Sequence, residues 1–206
     1  DSPARSPITY RDPVPCLAQV ARDRGPGRAL QAIGLGGASP VRRSDRLRLA
    51  AWNAERCKSA QASIAVLKSL DCDVICLTEM DNGLARSGNL HTTRVIAGAL
   101  GMSYAFGVEF VEFGHGNQTE MAAFADLTND VGLHGNAVLS RHAMSDHRLA
   151  RLRDGSIWRK LDWHSDRLGS RQAMVCLLDR RSGQLLLVNT HLESLPGPER
   201  RAAQMQ

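Results

Sequence analysis

Short apolar runs closed by polar residues begin at Leu47 and recur along the rest of the chain. LRLAAWN, residues 47–53, alternates in short steps and stops at Asn53, which predicts a strand. Across residues 59–70, Ile64, Leu67 and Leu70 fall on one face of a helix. DVICLTE, residues 73–79, is an apolar strand whose end delivers Glu79. Strand, helix and strand in so short a span predict a crossover, which places Asn53 and Glu79 at one sheet edge if the strands are parallel. A helix follows at 91–100, a long strand or strand pair at 104–113, a short helix near 121–126 and a strand at 136–139. Apolar runs at 143–152, 173–178 and 185–189 complete the strands, and Arg180, Arg181, Ser182 and Gly183 form a hairpin turn between the last two. Residues 198–205 open a helix with Pro198 in its first turn. The fold class expected from this order is α/β.

Upstream of residue 47 the pattern lapses. Residues 1–46 hold six of the eight prolines, a GPG stretch and GLGGASP, so they are expected to lack regular structure apart from a short helix at 29–33. They read as a leader that is loose or wraps the surface, ahead of a folded domain at 47–206. GLGG, residues 34–37, lacks the flanking strand and helix of a nucleotide-binding loop and reads as plain loop. The opening DSPARSPITY has no secretory-signal pattern and no initiator Met, so either a leader has been removed or the chain was cut.

With 206 residues, 43% of them hydrophobic, one real core is affordable. No apolar run approaches the roughly 20 residues of a membrane-spanning helix. Five cysteines cannot all pair, and Cys72 and Cys76 read as small hydrophobes on one side of a strand, which points to a reducing, cytoplasmic compartment. The net charge of +5 is concentrated in residues 1–46, with 8 Arg against 4 Asp. Beyond them the charge is polarised, with 9 acidic against 2 basic residues at 71–130 and 10 basic against 5 acidic at 141–181. A basic segment facing an acidic, metal-binding one suits a phosphate-bearing substrate, although a solvated surface also accounts for most of these side chains. The weakly charged folded part disfavours long duplex and suits short or single-stranded nucleic acid.

Four segments place polar residues at the end of an apolar strand: WNAER, LTEMD, HGNAVLSR and VNTHLES. Glu79 and Asn53 offer the carboxylate and amide oxygens that a hard cation such as Mg²⁺ takes. His191, cationic or as a hydrogen-bond donor, suits the charge that develops on phosphoryl oxygens. Asn136 and Asn189 suit orientation of substrate or of neighbouring ligands, and Arg141 suits steering of phosphate. His115 and Asn117 sit in a glycine-rich loop able to touch substrate. Trp158 and Trp163 could stack a base, whereas Trp52 reads as core.

In order and spacing across residues 47–194, these four segments resemble the motifs of the endonuclease/exonuclease/phosphatase superfamily. The resemblance implies a DNase I-like four-layered α/β sandwich and a phosphodiesterase or nuclease dependent on Mg²⁺ or Mn²⁺. It implies metal coordination by Glu79 and Asn53, a phosphate-lining strand carrying Asn136 and Arg141, and an active-site histidine at His191. Glu193 is then an acceptor holding His191, and HLES is similar to the tyrosyl-DNA phosphodiesterase branch. The family's G-D-x-N and S-D-H segments do not follow His191, and LDWHSD at 161–166 precedes it. The resemblance therefore implies a sandwich whose C-terminal portion is missing from this chain and a second polypeptide that carries both segments. The alternatives are a phosphomonoesterase or phospholipid-cleaving enzyme of the same superfamily, and a non-catalytic metal-binding or regulatory fragment.

Overall fold

A computed structural model describes residues 8–11, 30–38, 45–152, 158–162, 165–192 and 197–206. The strands are β1 (Ile8–Arg11), β2 (Ala32–Gly37), β3 (Leu49–Arg56), β4 (Val74–Asn82), β5 (Ser103–Glu112) and β6 (Leu133–Ser140). They continue as β7 (Met144–Arg151), β8 (Trp158–Asp162), β9 (Ser165–Gly169), β10 (Gln172–Arg180) and β11 (Gly183–Thr190). The helices are α1 (Ala60–Leu70), α2 (Thr92–Leu100), α3 (Gln118–Ala123) and α4 (Pro198–Gln204).

Two sheets form. The larger runs β1-β2-β5-β6-β4-β3, with β9 joining β5 and β8 joining β9, and the smaller runs β11-β10-β7. As the crossover pattern requires, β3 and β4 are parallel, with Asn53 opposite Thr78. One face of the larger sheet packs Ile75, Leu77, Tyr104 and Phe106 against Ile64 and Leu67 of α1 and Ile96 of α2. The other face packs Val74, Cys76, Ala105 and Val138 against Met174, Cys176, Leu178 and Leu187 of the smaller sheet. The described layers are therefore helix, sheet and sheet, three of the four layers of the α/β sandwich expected. Because β4 is covered on both faces, eight of its nine residues are buried and Glu79 alone is partly open.

Three local expectations are corrected. Residues 32–37 are neither helix nor loop but strand β2, paired antiparallel with β5. Its glycines permit close approach, since a Cβ on Gly36 would lie 3.0 Å from the Tyr104 hydroxyl, and Gly37, at φ +93°, would place one 2.3 Å from the Met102 carbonyl oxygen. Trp52 is not core: it is 37% exposed, because β3 lies at the end of the larger sheet's strand order. Cys72 and Cys76 do not share a side, because Cys72 precedes the start of β4 and joins the helix-side core while Cys76 lies between the sheets. Burial pushes the Cys76 and Cys176 thiols up to about 11.

His91 caps α2, its Nδ1 accepting from the Arg94 N–H at 3.5 Å, and its ring packs edge-on against Tyr104 and Phe106. Its Nε2 is buried without a hydrogen-bond partner. Burial, with a smaller contribution from Arg94, lowers its pKa to about 3, against about 6.5 in the unfolded chain. Between those values the unfolded chain binds a proton that the native state refuses. This part of the stability is therefore complete above pH 6.5 and is lost as pH falls towards 3. The expected loss is about 2 kcal/mol between pH 7 and pH 5. His91→Asn, which keeps a capping side chain, should flatten that slope in urea titrations, and an unchanged slope would assign it to other groups.

Candidate functional site

The open end of β4 is built by bulges. Register slips between Asn53 and Arg56 on the β3 side and between Leu77 and Met80 on the β6 side. Glu79 adopts φ +57°, and Glu55, Arg56 and Cys57 form a run at +47°, +66° and +50°. Left-handed backbone at residues other than glycine costs about 1–3 kcal/mol each, and such strain concentrates where a strand must re-aim a side chain. Here the bulge brings Glu79 from a buried strand into a cavity of about 330 Å³, lined also by Asn53, Arg56, Arg86, Phe110, His134, Arg167, Arg171 and His191.

At one end of the cavity the Asn53 amide donates to Glu79 Oε1 at 2.9 Å, while Asn53 Oδ1 accepts from the Glu55 N–H at 2.9 Å. Burial pushes the Glu79 carboxyl up, but the Asn53 bond and the facing His134, His191 and Arg56 hold it below the usual carboxylate range. His191 Nε2 stands 3.9 Å from Glu79 Oε1. Its Nδ1 faces Arg171 Nη1 at 3.4 Å, and Arg171 Nη1 also donates to Glu109 Oε1 at 2.9 Å. A guanidinium only donates, so this contact favours the ring tautomer with its proton on Nε2, on the Glu79 side.

Behind the cavity lies a buried ionic cluster. Arg86 grips Asp81 through Nε at 2.8 Å and Nη2 at 2.9 Å, and its Nη1 reaches Glu112 and the His115 carbonyl at 3.3 Å each. His134 Nδ1 lies 2.6 Å from Asp81 Oδ1. Burial alone would raise the Asp81 pKa, but Arg86 and His134 hold it low. Burial pushes His134 below the usual imidazole range against the pull of Asp81, so a neutral ring donates its Nδ1–H to a carboxylate. That ring stacks on Phe110, with centroids 5.5 Å apart. The Arg167 and Arg171 guanidiniums lie 4.8 and 5.1 Å from the same Phe110 centroid. Glu120 closes the capping box of α3 with Asn117 and pairs with Arg56 at 3.2 Å and Lys58 at 3.1 Å.

The structure brings Asn53, Glu79 and His191 together and leaves the other expected site residues elsewhere. Strand β6 is antiparallel to β4, so its motif runs away from Glu79: Gly135 pairs with Met80, but Ser140 already pairs with Val74. Arg141 therefore ends on Asp71 and the Cys72 carbonyl, roughly 20 Å along the strand from the cavity, and does not steer phosphate there. Asn136 is buried with its Oδ1 unpartnered and does not line the cavity. Asn189 is likewise not a substrate group, because its amide bridges the sheets by donating to the Leu77 and Ala137 carbonyls at 2.9 Å each. Asn117 is a helix cap, and the His115 carbonyl serves Arg86. Glu193 and Trp163 lie outside the described residues, as does the side chain of Trp158. Sequence reasoning missed Arg56, Arg86, His134, Arg167 and Arg171 as cavity residues. Local sequence carried no signal for them, since even Arg167 and Arg171, four residues apart, lie on β9 and in the connection to β10 rather than on one strand.

Among the described residues no group of three or more His, Cys, Asp or Glu side chains is arranged to hold a metal ion. Glu79 is the only carboxylate among the described residues that line the cavity. That donor set does not suit Zn²⁺, which takes four nitrogen, sulfur or carboxylate ligands. It does suit a Mg²⁺-type ion, which binds through one or two carboxylates and completes its shell with water and substrate phosphate. No helix among the described residues is long and apolar enough to cross a membrane.

No protein-family model matches this sequence, and no curated protein is significantly similar to it. Among solved structures, the chain is similar to TDP2 from Caenorhabditis elegans at 15% identity and a TM-score of 0.42, over 77% of this chain and 40% of that one. A second TDP2 structure from that organism gives 16% identity, a TM-score of 0.40 and coverage of 75% and 38%. An endonuclease/exonuclease/phosphatase family protein from Leptotrichia buccalis is similar at 12% identity and a TM-score of 0.47, over 75% of this chain and 58% of that one. The chain thus spans about two-fifths of the length of the TDP2 chains.

Proposed function

We propose that this chain carries part of the active site of a divalent-metal-dependent phosphodiesterase or nuclease. The observation behind this reading is the convergence of Asn53, Glu79 and His191 in one cavity, the first two from bulges in β3 and β4 and the third from just past β11. Glu79 would hold Mg²⁺ or Mn²⁺, which when bound supplies charge neutralisation on phosphoryl oxygens and an acidified water. Asn53 fixes the carboxylate by its 2.9 Å bond. The His191 Nε2–H, turned outward by Arg171 on the opposite ring nitrogen, donates to a phosphoryl oxygen as charge grows there. The bulged backbone keeps Glu79 facing the cavity without rearrangement during reaction.

The reading includes a second polypeptide segment bearing G-D-x-N and S-D-H. Two surfaces support it. Strand β3 ends the sheet with Leu49 and Trp52 exposed beside Asn53, and the outward side of β11 exposes Leu186 and Val188 at 60% and 52%. Exposed apolar strands of this kind are usually covered by another element. The proposed setting is cytoplasmic and reducing, in keeping with the free, buried Cys57, Cys72, Cys76 and Cys176.

The test is hydrolysis of bis-p-nitrophenyl phosphate by the natively purified protein with its co-purifying chains. Turnover should require Mg²⁺ or Mn²⁺ and fall by about 10²–10³-fold in His191→Gln, as for loss of one donor to a developing oxyanion. Hydrolysis insensitive to chelator, or retained in His191→Gln, would overturn the reading. Metal binding without turnover in the complete assembly would leave a non-catalytic module.

A further inference from the structure

One row of side chains across the centre of the larger sheet has no part yet in the proposed reaction. Asp81 of β4 pairs with His134 of β6, and His134 pairs in turn with Phe110 of β5. Directly opposed residues project from the same face of a sheet, so carboxylate, imidazole and phenyl ring stand side by side. Asp81 is fully buried and is gripped by Arg86 through two bonds. The imidazole lies flat on Phe110, with the ring planes 13° apart. Its orientation is therefore fixed from both sides.

His134 Nδ1 lies 2.6 Å from Asp81 Oδ1, and because an ionised carboxylate only accepts, that nitrogen carries the proton. Arg86 Nη2 also approaches Nδ1, at 3.4 Å, but it already donates to Asp81 Oδ1 at 2.9 Å and makes the longer contact. The neutral ring thus keeps its lone pair on Nε2. No described residue bonds to Nε2, yet it is not sealed from solvent, and the 6% of the side chain that stays open belongs to the cavity that His134 lines. The sense is opposite to that of His191, whose contact with Arg171 favours a proton on the Glu79 side. One imidazole offers the cavity a donor and the other an acceptor.

A phosphodiester has oxygens that accept and no proton to give. The arginines and the His191 N–H match it, whereas a lone pair on Nε2 does not. The partner with an O–H to offer in such a site is the attacking water. A buried carboxylate on one ring nitrogen and an open lone pair on the other is the arrangement in which a histidine takes a proton, since the carboxylate fixes the tautomer and stabilises the imidazolium that forms. Burial keeps His134 below the usual imidazole range, with Arg86 adding to it and Asp81 and Glu79 opposing, so the ring is unprotonated at neutral pH.

We propose that Asp81 and His134 form a proton-accepting dyad, in which His134 Nε2 takes the proton of the water that attacks the scissile phosphorus. This deepens the phosphodiesterase reading and rests on it. The water oxygen supplies the electron pair of the new O–P bond while its proton passes to Nε2. The ester P–O bond breaks, its electron pair leaves on the departing oxygen, and the imidazolium then returns its proton to solvent. Asp81 is a positioning residue that acts through His134.

The first test needs no turnover. Multiple-bond proton–nitrogen NMR in chelator at neutral pH, with the His134 ring assigned from its backbone, should show Nδ1 protonated and Nε2 bare; an Nε2–H ring would overturn the dyad. The second is hydrolysis of bis-p-nitrophenyl phosphate by the protein with its co-purifying chains. His134→Ala should lower kcat by about 10²–10⁴-fold with little change in KM, and added imidazole should restore part of the rate. Because p-nitrophenolate departs without a proton, a loss on this substrate lies on the attacking side. The substrate also has no hydroxyl, so a histidine that serves only to recognise one leaves the rate unchanged, and that result overturns the proposal. A loss that imidazole does not recover gives His134 a structural role and overturns it too. If His134→Ala fails to fold, His134→Gln, which keeps an N–H for Asp81 but no basic nitrogen, carries the rate comparison, and the tautomer is still read on the unaltered protein. An unaltered protein that hydrolyses nothing, with the expected tautomer, overturns the enzymatic reading and the step that rests on it, whereas hydrolysis with an Nε2–H ring overturns the dyad alone.

Discussion

Replacing Arg86 with alanine is expected to cost about 3–5 kcal/mol of folding stability, the largest effect of any single substitution considered. Its guanidinium is the counter-charge for Asp81, which is fully buried, and it also meets Glu112 at 3.3 Å and lies 3.8 Å from Glu120. Truncation leaves those carboxylates in a low-dielectric interior, where Glu112 is already pushed up by burial despite Arg86 beside it. For a chain of this size the melting temperature should fall by roughly 6–20 °C. A double-mutant cycle with Asp81→Ala separates the charge pair from simple loss of packing. The double variant should be much less destabilised than the sum of the two singles. Additive losses would show that the ion pair is not what holds this region together.

Glu79→Gln is the second large effect, and it falls on activity rather than stability. The substitution preserves shape and keeps an oxygen that can accept from Asn53, but it removes the one carboxylate among the described residues lining the cavity. Metal-dependent hydrolysis should drop by about 10²–10³-fold, equivalent to about 3–4 kcal/mol of transition-state stabilisation. Metal affinity measured by calorimetry should fall with it, while the melting temperature should change little. A variant that keeps the wild-type rate would remove Glu79 from the reaction, whatever else the cavity binds.

Asn53, Glu79 and His191 were legible in the sequence because each follows an apolar run, and parallel pairing of β3 with β4 brings the first two side by side even though both strands continue past them. The motif around β6 misled for a geometric reason. An eight-residue antiparallel strand reaches the site at its beginning and leaves it by its end, so Arg141 could not share a location with Gly135. The arginine wall was hidden because Arg56, Arg86 and the Arg167–Arg171 pair come from three stretches far apart in the chain. Nothing in their local sequence distinguishes a guanidinium held against a buried carboxylate from one in water. Strand β2 was missed because its glycines, which signal loop by composition, are there to let a backbone pass close to Tyr104 and Met102. Trp52 was misplaced for want of knowing that its strand ends the sheet.

Glu120 gives the site an unexpected dependence. Helix α3 has six residues, too few to be stable alone in water, and Glu120 closes its capping box with Asn117. The same carboxylate faces Arg56, Lys58 and Arg86. Unwinding this short helix and loosening the arginine wall are therefore a single cooperative event, one local folding unit rather than two. A ligand that steadies Arg56 thereby lends stability to a segment it never touches.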